Sequence, residues 1–264
     1  MLTRYPDLDE MLNLQFQPIE NDNPKMFTRE QIAHYNENGF IKPFKLFEGD
    51  ELARIAAFFR ENEAEMTRCK QKCETYWSPH PHLGGAYDLV SHPRTVAYLQ
   101  DLIGPNVICH ISDLINKPPN QDKGGIHHQD STFNAMDARC PIVWLAVEDA
   151  DVENGCMWFI HGSHKLGVVE CDEEHYIDDP SQHGEDIPCE VPAGHAIFMS
   201  DLVMHSSPAN RSKDRYRPGF TATYAPAEIT PHKQSNRWAV LCSGEDASGE
   251  WQAKPRPAGE RLFA

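Results

Sequence analysis

The 264-residue sequence lacks long apolar runs and is short of basic residues. No stretch approaches the roughly 20 apolar residues that a membrane-spanning helix needs, so no membrane partner is expected. Lys and Arg together number 24 against 40 Asp and Glu, which gives a net charge of −16. A field of this sign repels phosphate, so the composition argues against a nucleic-acid partner. With 40% hydrophobic residues, the chain can still form a core of ordinary size.

Targeting signals are also missing. Residues 1–7 show no basic segment followed by an apolar one, so no secretory signal is predicted and a cytoplasmic location is expected. Because no secretory signal is predicted, the eight scattered cysteines are expected to be reduced thiols. Cys69 and Cys73 lie four residues apart on a predicted helix, but no second pair at zinc-finger spacing accompanies them. The absence of an HExxH motif disfavours a zinc peptidase.

What the sequence does contain is a helical first third followed by short strands. Helices are predicted at 28–39, 48–69 and 93–102, from capping residues and from apolar residues at helical spacing. Short β-like runs with turn residues between them follow at 107–114, 126–133, 142–147, 157–160, 196–199 and 220–224. This order predicts an α+β fold in which a sandwich or a jelly roll carries N-terminal helices. Of the two we expect a double-stranded β-helix (a cupin-like jelly roll) core with N-terminal helices packed on it.

The whole chain, 1–264, is predicted to form one domain. Its parts are an N-terminal arm at 1–25, a helical part at 26–105, a jelly-roll core at 106–226 and a C-terminal tail at 227–264. The acidic, apolar-poor segment 169–188 is either a solvated loop or a lid.

The densest chemistry lies at 124–131, in the run Gly-Gly-Ile-His-His-Gln-Asp-Ser. If this run is a strand, His128 and Asp130 project from the same face, because they are two residues apart. His205 is a candidate third ligand, since a jelly roll brings distant strands together. Two histidines and one carboxylate form the ligand set of non-haem Fe(II) oxygenases. For an isolated His-x-Asp triplet, side chains satisfied by hydrogen bonds are the simpler alternative.

A cluster of arginines follows His205. Iron sites of this type commonly use 2-oxoglutarate, whose distal carboxylate needs a planar cation. An arginine that enters the last core strand, at 220–224, could supply that cation. For Arg211 and Lys213 a solvated position is expected instead.

The sequence resembles the phytanoyl-CoA dioxygenase family of Fe(II)- and 2-oxoglutarate-dependent oxygenases. The resemblance spans about residues 28–225 and rests on separated blocks: Asn-Gly-Phe at 38–40 after a helix, Leu-Ile-Asn-Lys-Pro-Pro at 114–119, His-Gln-Asp at 128–130, the run 144–165 that ends in Gly-Ser-His-Lys, and His-Ser-Ser at 205–207. One departure is His161, where relatives usually carry proline.

The resemblance implies a role for several residues. His128, Asp130 and His205 would hold the iron and form the catalytic centre. Arg217 would bind the distal carboxylate of 2-oxoglutarate, with Arg215 as the alternate. Trp144 and Ser207 would line the co-substrate pocket. Asn210 would order the loop between His205 and Arg217. The carboxylate of Asp130 favours hydroxylation over halogenation.

The predicted enzyme is a 2-oxoglutarate-dependent dioxygenase that hydroxylates an unactivated C–H bond of a small organic molecule. It would use Fe(II), 2-oxoglutarate and O2 and release succinate and CO2. Lys117, a predicted cofactor-binding cation, would with Lys123 and Lys165 form a rim suited to an anionic substrate, although a solvated position is the simpler prediction for each lysine. The alternatives are a metal-binding jelly roll and a cupin-type metalloenzyme that does not use 2-oxoglutarate. A monomer or homodimer is expected.

Overall fold

The computed structural model describes residues 14–68, 74–122, 124–134, 136, 140–229 and 237–263. The helices in these ranges are α1 (Arg29–Asn38), α2 (Gly49–Glu61), α3 (Glu63–Arg68), α4 (Gly84–Val90), α5 (Pro93–Ile103) and α6 (Ser131–Asn134). The strands are β1 (Phe40–Lys45), β2 (Glu74–Trp77), β3 (Val107–Lys117), β4 (Pro141–Ala146), β5 (Met157–Ile160), β6 (Asp186–Cys189), β7 (His195–Ser200), β8 (His205–Ser206), β9 (Arg217–Pro226), β10 (Trp238–Ser243) and β11 (Gln252–Ala253). Two short 3-10 helices cover Ser163–Leu166 and Pro180–His183.

The strands form two sheets. Eight strands make the large sheet, in the order β1-β7-β4-β9-β3-β10-β11 with β2 also paired to β3. The small sheet has the order β6-β5-β8. Neighbouring strands run antiparallel except β10 and β11. The predicted order of helices followed by a strand-rich part is confirmed, and the structure is a mixed α and β fold with a large sheet.

The two faces of the large sheet have different neighbours, because successive side chains of a strand point to opposite faces. One face carries Val143, Leu145 and Phe198 and packs against the helices in the larger core cluster. The other face carries Trp144 and Ile197 and packs against small-sheet residues such as Phe159 in a second buried cluster. We call this second face the inner face. Side chains that the large sheet contributes to a site between the sheets must come from this inner face.

The predicted helices form with small changes at their ends. Thr28 and Gln31 make both hydrogen bonds of a capping box at the start of α1. Gly39 ends α1 with φ 88°, and a Cβ there would come within 2.8 Å of the His164 ring. The helix predicted at 48–69 is divided into α2 and α3, because Asn62 caps α2 and breaks it. Cys69 and Cys73 lie outside the described residues.

The described end of the N-terminal arm and the described part of the C-terminal tail are fastened to the body of the protein. The backbone N–H groups of Lys25, Met26 and Phe27 donate to the Asp101 carboxylate over 2.7–2.9 Å. The region predicted as a tail at 227–264 contributes β10, which pairs with β3 in the large sheet. The tail therefore completes the sheet that carries the site. No helix of the described chain is both long and apolar enough to cross a membrane.

One predicted strand is wrong. The segment 126–133 contains only an isolated bridge, between His128 and His205, before α6 begins at Ser131. The chain turns because the carbonyls of Gln129 and Asp130 accept from the N–H groups of Thr132 and Phe133, three residues on. The His-x-Asp pair therefore lies at the point where an extended segment becomes a helix.

Candidate metal centre

The structure brings His128, Asp130 and His205 to one point. Their ligand atoms all lie within 4.8 Å of one another. The Nε2 atoms of His128 and His205 are 3.3 and 3.8 Å from the two oxygens of Asp130. The backbones of His128 and His205 also exchange two hydrogen bonds of 3.1 Å. This bridge places β8 against the His-x-Asp segment, so residues 75 or more positions apart share one site.

Backbone hydrogen bonds orient both imidazoles. The Nδ1 atom of His128 is 2.8 Å from the carbonyl oxygen of Ile126. The Nδ1 atom of His205 is 3.0 Å from the carbonyl oxygen of Val203. An Nδ1–H that donates to a carbonyl leaves the Nε2 lone pair free, and both Nε2 atoms face Asp130. The histidines are thus held in the tautomer that a metal ligand requires.

The electrostatics favour the protonation states of a metal site. Burial and the neighbouring His128 lower the pKa of His205 to about 4, against the opposing effect of Asp130. Burial alone would raise the pKa of Asp130, but His205 and His128 hold it below its ordinary value. At neutral pH His205 is therefore a neutral imidazole and Asp130 a carboxylate, which are the forms that bind a metal ion.

Gln129 holds the ligand segment from behind. Its side chain is buried and its Nε2 donates to the carbonyls of Gly167 and Leu202 over 2.8 and 2.6 Å. Its Oε1 accepts from the N–H of Val169 over 2.9 Å. One amide thus ties the His-x-Asp turn both to the loop before His205 and to the start of the segment 169–188.

The segment 169–188 packs against the metal motif. The N–H of Ile177 donates to the carbonyl of His127 over 3.0 Å. The His175 ring lies 4.5 Å from the Phe133 ring, centre to centre, and Asp186 pairs with His127 at 2.9 Å. The end of the segment forms β6, so it is not a solvated loop throughout. Its opening and closing as a lid stays a prediction.

Arg217 and Trp144 meet on the inner face. Arg217 is 1% exposed, and its guanidinium carbon is 5.1 Å from the centre of the Trp144 ring. Gly219 leaves room for this pair, because a Cβ there would come within 2.9 Å of both side chains. Arg215, the predicted alternate, instead pairs with Asp151 and Glu153, in each case at 2.6 Å.

Lys117 is neither a rim cation nor a solvated residue. It is 4% exposed, and its Nζ donates to the carbonyls of Ser207 and Pro208 at 2.5 Å each. The lysine ends β3 on the inner face directly opposite Arg217, so its ammonium reaches under the loop that follows His205. Lys165 pairs with Glu37 at 2.6 Å, and Lys123 lies outside the described residues.

Ser207 and Asn210 shape the loop between His205 and Arg217. The Ser207 hydroxyl donates to the carbonyl of Gly155 over 3.0 Å. The Asn210 amide donates to the carbonyls of Lys117 and Arg215 over 3.0 and 2.6 Å. The geometry places Asn210 where the resemblance implied it, as the residue that orders this loop.

Sequence reasoning missed two buried acids beside the ligands, Asp113 and Asp201. Burial, and then the charge of Asp130, raise the pKa of Asp113 to about 7. Burial raises the pKa of Asp201 to about 8, with Asp130 acting in the same direction. The sequence offered only a weak signal for these two residues, since each is an acid among apolar residues of a β-like segment. A buried carboxylate without a partner costs free energy, so such an acid often has a function.

A large groove lies elsewhere in the described part of the chain. Its volume is about 740 Å³ and its walls include Asn116 and Pro218. Both residues alternate with Lys117 and Arg217 along their strands, so they belong to the helix-covered face. None of the three metal-site residues lines this groove, and it is not the way to the metal centre.

Comparison with known protein families and sequences gives consistent matches. The family model for phytanoyl-CoA dioxygenase matches residues 35–219. The peroxisomal phytanoyl-CoA dioxygenase of Rattus norvegicus is 24% identical over 251 residues, covering 81% of this chain and 72% of that protein. Phytanoyl-CoA dioxygenase 1 of Oryza sativa subsp. japonica is 36% identical over 109 residues, which is 38% of this chain and 39% of that protein. The rice match thus spans about two fifths of its relative.

Solved structures share the fold. The apo form of the non-heme monooxygenase ThoJ has a TM-score of 0.71 at 21% identity, covering 88% of this chain and 89% of that chain. The epimerase SnoN, solved in complex with Fe3+, alpha ketoglutarate and nogalamycin RO, has a TM-score of 0.69 at 20% identity, covering 88% and 96%. At these identities the likeness concerns the fold.

Proposed function

Because the chain belongs to the phytanoyl-CoA dioxygenase family, we propose that it hydroxylates a C–H bond of a small organic molecule with Fe(II), 2-oxoglutarate and O2. The observation that carries the proposal is the convergence of His128, Asp130 and His205 within 4.8 Å. Both imidazoles are already fixed with Nε2 toward the shared point. The donor set fits iron, since two histidines and one carboxylate leave three positions open for co-substrates.

The co-substrate would lie at the end of the inner face where β3 ends and β9 begins. Lys117 and Arg217 are directly opposite each other there, and two facing cations repel unless an anion lies between them. The planar Arg217 fork suits a carboxylate, and the Trp144 ring limits where the fork can lie. Arg215 is already engaged by two acids, which favours Arg217 as the residue that binds the distal carboxylate of 2-oxoglutarate. Trp144 and Ser207 would line the same pocket.

Bound iron would supply the oxidative chemistry, in which 2-oxoglutarate is converted to succinate and CO2 as the substrate is hydroxylated. The protein orients the ligands and excludes water. His205 is 3% exposed, and the segment 169–188 covers the motif from outside. The carboxylate at Asp130 occupies the position that would have to be empty for halide binding, and this supports hydroxylation.

The fold proposal follows from the arrangement of the two sheets. A large, mainly antiparallel sheet faces a small antiparallel sheet that carries His205, which supports a double-stranded β-helix core. We propose that residues 1–264 form a single domain around it. A small-molecule substrate, a cytoplasmic location, the absence of a nucleic-acid partner and a monomeric or homodimeric state complete the proposal.

The test is succinate release by the purified chain with Fe(II), 2-oxoglutarate and a panel of small organic molecules. His205→Ala is expected to lose iron binding and succinate release. Arg217→Ala is expected to keep iron but to bind 2-oxoglutarate at least about tenfold more weakly, because it loses a bidentate pair. Arg215→Ala is the matched control and should bind 2-oxoglutarate as the wild type does.

Two results would overturn the proposal. Iron retained by an Asp130→Ala and His205→Ala double variant would exclude these residues as ligands. A wild-type protein that binds iron but releases no succinate, with or without any member of the panel, would favour a metal-binding jelly roll or a cupin-type enzyme.

A further inference from the structure

Strand register places an aromatic residue and an acid side by side on the inner face. Trp77 on β2 is directly opposite Asp113 on β3, and Asp113 is directly opposite Thr221 on β9. Asp113 and Lys117 are four residues apart in a part of the ladder without a bulge, so they share a face. Trp77, Asp113 and Thr221 therefore form one row on the face that carries Lys117 and Arg217.

Asp113 is a buried acid with little compensation. It is 5% exposed, and its Oδ1 accepts one hydrogen bond, from the N–H of Ser78 at 3.1 Å. Within the described part of the chain, no lysine, arginine or histidine pairs with it and its Oδ2 accepts no hydrogen bond. A buried carboxylate in this state is unstable as an anion. Burial and the nearby Asp130 accordingly raise its pKa to about 7. A cation placed beside Asp113 would relieve this cost.

The indole ring of Trp77, opposite Asp113, is accessible to solvent. Trp77 is 49% exposed, although it stands next to a buried position on the same face. Ser78, which follows it, has φ 48°, an uncommon backbone conformation for a residue other than glycine. The same N–H of Ser78 lies 2.8 Å from the carbonyl of Ser112, so the corner after Trp77 is fixed against β3. A carboxylate beside an accessible indole face is a combination that binds organic cations.

The inner face is therefore polarised along β3. Lys117 and Arg217 form its positive end, and Asp113 lies four residues away, which is about 13 Å along a strand. An anionic co-substrate belongs at the positive end. Asp113, at the other end, lies close enough to Asp130 to feel its charge. It is therefore available to contact the substrate.

We propose that Asp113 and Trp77 bind a cationic nitrogen of the substrate, an ammonium or a related group, and so make this an oxygenase of amine-bearing molecules. The inference rests on the proposed function and names the substrate class of the same site. It replaces the expectation of an anionic substrate, since Lys117 is buried under a loop and Lys165 pairs with Glu37.

The test uses three probes of equal chain length: hexylamine, hexanol and hexanoate. Each is titrated calorimetrically into the Fe(II)-loaded full chain with 2-oxoglutarate under argon. Wild type is expected to bind hexylamine at least about tenfold more tightly than hexanol, and hexanoate most weakly, because the amine gains an ion pair and a cation–π contact.

Asp113→Asn is the decisive variant, because the amide is nearly isosteric and its oxygen can still accept from Ser78. Its affinity for hexylamine should fall by about tenfold, to the level of hexanol, while hexanol binding stays the same. Trp77→Leu should weaken hexylamine by about threefold or more. Glu148→Gln removes the same charge from an exposed position and should leave all three affinities unchanged.

The outcomes separate the two proposals. If wild type binds Fe(II) and 2-oxoglutarate but shows no preference for hexylamine, the inference is wrong and the proposed function stands. A preference that survives both Asp113→Asn and Trp77→Leu would also overturn it. If Asp113→Asn does not fold, the wild-type preference and its reduction in Trp77→Leu decide the question. Wild type that binds neither iron nor 2-oxoglutarate would refute the proposed function itself.

Discussion

At the scale of the residue, the metal centre depends on Gln129 as well as on the ligands around it. Its one amide satisfies the backbones of Gly167, Val169 and Leu202. Gln129→Leu would keep the side-chain volume but remove the partner of two buried carbonyls and of one partly buried N–H. We expect the free energy of unfolding to fall by about 2–4 kcal/mol, and iron to bind more weakly because the turn is released.

Urea unfolding of the iron-free protein measures the first effect and iron titration the second. Gln182→Leu is the control, since Gln182 is exposed and bonds only to its neighbour Asp179. It should cost less than about 0.5 kcal/mol. Equal stability of the two variants would show that the buried amide does not hold the turn.

His80 makes the stability of the protein depend on pH. It is 1% exposed, its Nδ1 is 2.7 Å from the Ser112 hydroxyl, and burial lowers its pKa to about 4. In the unfolded chain its pKa is near 6.5, so the unfolded state binds the proton first as the pH falls. Stability is therefore lost between pH 6.5 and 4, with about 2 kcal/mol lost by pH 5 from this residue.

The comparison of wild type with His80→Leu isolates this contribution. Chemical unfolding at pH 7 and pH 5 should show a smaller loss in the variant, by about 2 kcal/mol. His183→Gln, in a short 3-10 helix without buried residues, serves as the control and should follow the wild type. A variant that loses as much stability as the wild type on acidification would contradict the assignment.

At the scale of the element, Lys117 joins the end of β3 to the loop after β8. Its ammonium donates to two carbonyls of that loop, at Ser207 and Pro208. Lys117→Met removes both charge-assisted bonds and one of the two facing cations. We expect a loss of about 2–3 kcal/mol in unfolding free energy, together with weaker 2-oxoglutarate binding.

Urea unfolding and titration with 2-oxoglutarate check this prediction together. Lys165→Met removes a lysine of an exposed pair with Glu37, which is worth at most about 1 kcal/mol. If Lys117→Met lost no more unfolding free energy and no more 2-oxoglutarate affinity than Lys165→Met, the loop after β8 would be held by its other contacts alone.

The metal centre was accessible to sequence reasoning because its signals are local. His128 and Asp130 stand two residues apart, and the runs around His205 and Arg217 match a family pattern. The family prediction is confirmed by the matching family model, and the dioxygenase class and its cofactors are confirmed with it at family level. Capping residues such as Thr28 likewise fixed the start of α1 within one residue.

The remaining features depend on contacts between distant segments. Residues 126–133 read as a strand, yet their only bridge is made by His128, and the turn into α6 follows from hydrogen bonds at Gln129 and Asp130. The pairing of β10 with β3 joins residues 131–136 positions apart. Asp113 carries no motif, and its importance emerges only when register places it opposite Trp77.

At the scale of the whole molecule, the net charge of −16 describes the surface better than the interior. The inner face has a positive end at Lys117 and Arg217 and a buried acid at Asp113. Buried charges interact more strongly than solvated ones, because the interior screens them less. The charge around each binding position, and not the net charge of the chain, would therefore decide where the anionic co-substrate and the proposed cationic substrate bind.

Beyond β10 and β11, one buried acid fastens the C-terminal segment to the rest of the fold. Asp88 accepts from Nε and Nη2 of Arg256 over 2.7 and 2.8 Å and from the N–H of Leu262 over 2.9 Å. Asp88→Ala would leave a half-buried guanidinium unpaired, and we expect it to cost about 3–5 kcal/mol in unfolding free energy. Limited proteolysis should then cut after β10 before the body of the protein is cleaved. Glu250→Ala, which breaks a more exposed pair with Arg237, should cost at most about 1 kcal/mol and leave the cutting pattern unchanged. If the two variants were equally stable and equally resistant, Asp88 would not be what holds the C-terminal region in place.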